Sequence, residues 1–107
     1  MSTEALELAL KNLREAVGCA RRVRELTIDQ EGFGGRAAFN AAAELEGKLL
    51  WQHELVTGEA LTRLDDLRET NTERISEHMP QLPIPRWLLD LEEQSPARRG
   101  PIDELPF

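Results

Sequence analysis

The sequence is poor in the residues that do chemistry: it holds one cysteine, two histidines and no tyrosine, and aromatic residues make up only 5% of it. Cys19 alone can form no intrachain disulfide and cannot supply a zinc site, and it suits a reducing compartment. On a helical, partly apolar stretch it reads as a small core residue. His53 and His78 fall in separate segments, neither belongs to a Glu-x-x-His pair, and no Ser-His-Asp or Cys-His arrangement points to a nucleophile. Carboxylate pairs such as Asp65 and Glu69 sit on what reads as an exposed face, where a general acid has no pocket to tune it. Long apolar runs are absent too, so neither a signal peptide nor a membrane span is expected. Basic residues are the minority. Thirteen Lys/Arg against 20 Asp/Glu give a net charge of −7 and a pI near 4.8, which argues against direct nucleic-acid binding and for a basic protein partner. Together these shortages predict a soluble cytoplasmic protein that is not an enzyme, with no catalytic residue, no cofactor and no metal.

What is present reads as an all-α protein of one domain with a tail: a three-helix bundle or helical hairpin over residues 1–79 and a Pro-rich segment over 80–107. A first helix is expected over about 3–27, capped by Ser2 or Thr3, with Glu4 and Glu7 at its positive end and Arg21, Arg22 and Arg24 at its negative end. Leu6, Leu10, Leu13, Val17 and Ala20 recur at spacings of four and three, which makes one buried stripe. Ala5, Ala9, Ala16, Cys19, Val23 and Leu26 make a second beside it, so this helix should pack against two neighbours or against one neighbour and a dimer partner. Gly32, Gly34 and Gly35 mark a helix connection in which Phe33 is expected to plug the end of the bundle.

A second helix is expected over 36–56. Ala38, Ala42, Leu45, Leu49, Gln52 and Val56 keep a four-three alternation, like a coiled-coil seam with one polar position. The alanines at 37, 38, 41, 42 and 43 let another helix approach closely. Trp51 is expected as a core or dimer contact, and a homodimer through Leu45, Leu49, Val56 and Trp51 is one open alternative. Gly58 resembles the residue just past a helix end, and a turn there yields a third helix over 59–79. The apolar phase nevertheless continues through Val56, Ala60, Leu64 and Leu67, as a single long helix would require; the hairpin is the preferred reading because it yields three helices of similar length. Along the third helix Leu61, Leu64 and Leu67 give way to Asn71, Ile75 and His78, and its outer side carries Asp65, Asp66, Glu69, Glu73 and Glu77. Such a row suits an ordinary solvated face; in an acidic inhibitor of the kind phages use, Asp66, Glu69 and Glu73 would instead occupy a basic nucleic-acid groove of a host protein. Pro80, Pro83 and Pro85 then enforce an extended segment, and a short helix over 86–93 presents Trp87, Leu88 and Leu91 to the bundle or to a partner.

The final residues carry the most specific chemistry. Phe107 offers a ring and an α-carboxylate from one point, Pro106 biases Leu105 toward an extended conformation, and Asp103 and Glu104 add charge just behind. Asp103-Glu104-Leu105-Pro106-Phe107 resembles the acidic Pro-Phe tip of bacterial single-stranded DNA-binding proteins. The resemblance covers those five positions and none of the rest, which lacks that family's strand-rich OB-fold and its Gly/Gln-rich linker. It implies a shared receptor, a helicase, exonuclease or recombination mediator with an apolar pocket and a basic rim, in a bacterial or phage-infected cell. Leu105 and Phe107 folding back on the helices as a latch is the alternative.

Overall fold

The computed structural model describes residues 1–95, and the described residues are helical with no strand. α1 spans Thr3–Thr27, α2 Phe33–Ser76 and α3 Arg86–Gln94. Ser2 caps α1 by accepting from the Ala5 N–H at 3.1 Å, as its position ahead of an apolar stripe predicts. The expected stripe is the buried one: Leu6, Leu10, Val17 and Ala20 are buried and Leu13 is half-buried. Full burial of a leucine such as Leu6 is worth about 1.5–3 kcal/mol. The second stripe does not follow it. Ala5, Ala9 and Ala16 are half-buried, whereas Cys19, Val23 and Leu26 are exposed.

The break expected at Gly58 is absent, and α2 runs through it as one 44-residue helix, about 66 Å at 1.5 Å per residue. The helices expected over 36–56 and 59–79 are therefore one. An interior glycine costs only about 1 kcal/mol, and Ala60, Leu61 and Leu64, all buried, stand just beyond it. The Thr62 hydroxyl donates to the Gly58 carbonyl at 3.0 Å, within the helix. Phe33, expected to plug the bundle, begins α2 and is 94% exposed.

The chain divides into two units, Met1–Val56 and Thr57–Phe107. In the first, Ile28–Gly32 turns α1 back into an antiparallel hairpin with the start of α2. Gly35 permits the tight turn, since a Cβ there would stand 2.6 Å from the Gln30 Cβ and 2.9 Å from its carbonyl oxygen. The alternation expected from sequence holds only in part along this stretch of α2, where Ala42 is buried and Ala38, Leu49 and Val56 are half-buried. Leu45 and Gln52 are exposed, while Glu46 is buried and His53 half-buried. Glu46 is tolerated because it is paired: Arg21 Nη2 lies 3.0 Å from Oε2 and Arg24 Nε 3.3 Å from Oε1.

In the second unit α2 ends in a left-handed residue, His78 at φ 61°, with the Met79 N–H donating to the Arg74 carbonyl at 2.8 Å and the His78 N–H to the Ile75 carbonyl at 3.1 Å. The proline segment returns along the helix and is held by Asn71. Its side-chain amide donates to the Leu82 carbonyl at 3.0 Å and its oxygen accepts the Leu82 N–H at 2.7 Å. α3 starts where Pro85 predicts and buries Leu88 and Leu91. Arg68 holds it with a two-pronged bond to Glu92, at 2.7 and 2.9 Å.

Candidate interaction surfaces

Two surfaces stand out on the described residues, one on each unit. On the first, the exposed part of the second stripe of α1 and the alanine-rich start of α2 leave an open groove of about 600 Å³. α1 contributes Ala16, Cys19, Ala20 and Val23, and α2 contributes Ala38, Ala41, Ala42, Leu45 and Leu49. The backbone is wide open because alanine occupies so many of these positions. Apart from the Cys19 thiol no lining side chain can donate or accept a hydrogen bond, and none carries charge. Such an apolar lining can receive an apolar ridge such as a helix face. The sequence signals for it were the second stripe and the alanine cluster, each read there as close helix packing.

Above that groove the charges are local. The Arg22 guanidinium donates to the Cys19 sulfur at 3.2 Å, and Lys48 pairs with Glu44 at 3.1 Å on the exposed side of α2. His53 is half-buried beside Arg14, and its pKa is held below the ordinary 6.5, first by burial and then by that guanidinium. Trp51 is mostly exposed rather than a core contact of this hairpin.

The second surface is acidic. Asp66, Glu69 and Glu73 are exposed and recur at three and four residues, so they share one side of α2 over roughly 10 Å of helix axis. Trp87, also singled out from sequence, is half-buried on α3. Among the described residues no group of three or more His, Cys, Asp or Glu is placed to hold a metal ion, and no helix is long and apolar enough to cross a membrane. Asp103, Glu104, Leu105, Pro106 and Phe107 lie outside the described residues. What the fold defines is an all-α helical protein. No family model, curated protein or solved structure matches the chain.

Proposed function

We propose that this is a non-enzymatic interaction protein that docks, through Asp103-Glu104-Leu105-Pro106-Phe107, a DNA-maintenance protein able to read the tails of single-stranded DNA-binding proteins, and so recruits or inhibits it. The observation that carries the reading is the match of those five residues to the acidic Pro-Phe tip. Phe107 anchors in an apolar pocket, Asp103 and Glu104 face a basic rim, and Pro106 reduces the entropy lost on docking. The net charge of −7 supports a basic partner surface and electrostatic steering toward it.

The test is a titration of the intact chain and a Phe107-deleted version against a helicase or exonuclease that docks such tails, with urea stability followed in parallel. Loss of the aromatic anchor should weaken binding by about 2 kcal/mol or more, roughly 30-fold, at unchanged stability. Equal affinity of the two versions rejects the reading.

The exposed line of Asp66, Glu69 and Glu73 favours a second reading, an acidic inhibitor that fills a basic nucleic-acid groove. It is supported by the charge of the second unit, in which six Lys/Arg stand against eleven Asp/Glu. Reversing the three acids to Lys should then abolish binding, whereas removing Phe107 should leave it unchanged.

A further inference from the structure

The outward edge of the proline segment, residues 80–85 of the second unit, is used by neither the tip nor the acidic line. We infer that it is a docking ridge for a protein groove lined with aromatic side chains, of the kind that reads polyproline II helices. The conformation follows from the sequence. Proline fixes φ at about −65° at positions 80, 83 and 85, and the residue ahead of each, Met79, Leu82 and Ile84, is pushed toward the extended or polyproline II region. Pro85, at φ −57° and ψ 135°, lies in that region. A polyproline II helix turns every three residues, about 9 Å along its axis, and the burial has that period. Pro80 and Pro83, one turn apart, are exposed, whereas Leu82 and Pro85, also one turn apart, are half-buried.

The ridge is also held in place. Both backbone groups of Leu82 bond to the Asn71 side chain, and the Pro80 carbonyl accepts from Arg74 Nε. A loose Pro-rich peptide gives up conformational freedom when it docks, whereas this segment has given it up on folding. The anchors are a side-chain amide, a guanidinium and the inward residues, so the two outward prolines are left as a stiff apolar edge. Flat aromatic rings one polyproline turn apart complement such an edge. Charge narrows the class of reader: the unit carries six Lys/Arg against eleven Asp/Glu, which repels nucleic acid and anionic membrane and leaves a protein groove as the partner.

The experiment titrates the full chain with two readers of such helices, an SH3 domain that binds Pro-x-x-Pro peptides and a WW domain, by calorimetry and by amide shifts of the isotopically labelled chain. At least one should bind saturably, with the largest shifts at Met79, Gln81, Leu82 and Ile84. Replacing the outward prolines together, Pro80→Ala with Pro83→Ala, should weaken binding about tenfold or more while the thermal melt stays that of a folded chain. Asn71→Ala, which loosens the segment, should weaken it about threefold or more, because the ordering cost returns. Deleting Phe107 should leave the affinity unchanged, which separates this ridge from the tip. The inference is overturned if neither reader binds the intact chain, or if the double proline variant binds as well as wild type. It is also overturned if binding appears only in Asn71→Ala, since the segment would then be read as a loose peptide and not as a built edge.

Discussion

The two units share α2, yet they treat its apolar side in opposite ways. The second covers it from within: Pro80–Pro85 returns along the helix, Asn71 grips Leu82, and α3 seats Leu88 and Leu91 behind the Arg68 and Glu92 bond. The first uses its buried polar contact to join two helices, Arg21 and Arg24 to Glu46, and among the described residues its groove is open. In the second unit a further segment closes the face of the helix, and among the described residues none does so over the groove of the first.

The largest effect is expected at Asn71. Asn71→Ala removes both partners of Leu82, so its N–H and carbonyl lose their bonds in a part-buried setting and the return segment loses its clamp. Stability should fall by about 1–3 kcal/mol in urea unfolding. Amide exchange should quicken at Leu82 and along α3 while α1 is unaffected, and a uniform change across both units would show that the clamp is not local.

Substitutions at two glycines should act with opposite signs. Gly58 has no atom within 4 Å of where a Cβ would stand, so Gly58→Ala should raise stability by about 0.5–1 kcal/mol. Gly35→Ala drives a methyl into the Gln30 backbone and should lower it, by about 1–3 kcal/mol. Thermal melts of both variants check the pair. A destabilised Gly58→Ala would mean that α2 is not continuous there.

The smallest effect belongs to the first unit. Because burial and Arg14 lower the pKa of His53, the unfolded chain takes up its proton before the folded chain does as pH falls below 6.5. Stability that is fully present above 6.5 should therefore decline from there to the folded pKa and level off beneath it. Urea unfolding of wild type and His53→Gln, compared between roughly pH 8 and 5, isolates this component from the carboxylates; identical pH profiles would remove it.

Much of this was legible because helices announce themselves locally. Ser2 ahead of a four-three leucine pattern placed α1 and its buried stripe, and Pro85 placed α3. The misses share one cause, that pattern reading ranks residues by type and cannot see partners. Leu45 and Gln52 completed the apparent seam of α2, but Glu46 took the buried place because Arg21 and Arg24 neutralise it. Asn71 read as the weakening of a helix and is its clamp, because a peptide group eleven residues later comes back to it. Gly58 read as a terminus, though the local cost of a glycine is smaller than the gain from burying Ala60, Leu61 and Leu64 beyond it.

The helical class, the core stripe of α1 and the start of α3 can be read from the amino acids alone, since each depends on spacing or identity within a few residues. Continuity of α2 across Gly58, burial of Glu46 and Asn71, and the covering of one apolar stripe of α1 but not, among the described residues, of its neighbour emerge only in the folded chain. Those outcomes depend on which distant groups meet, and burial and hydrogen bonding between them outweigh local preferences of about 1 kcal/mol.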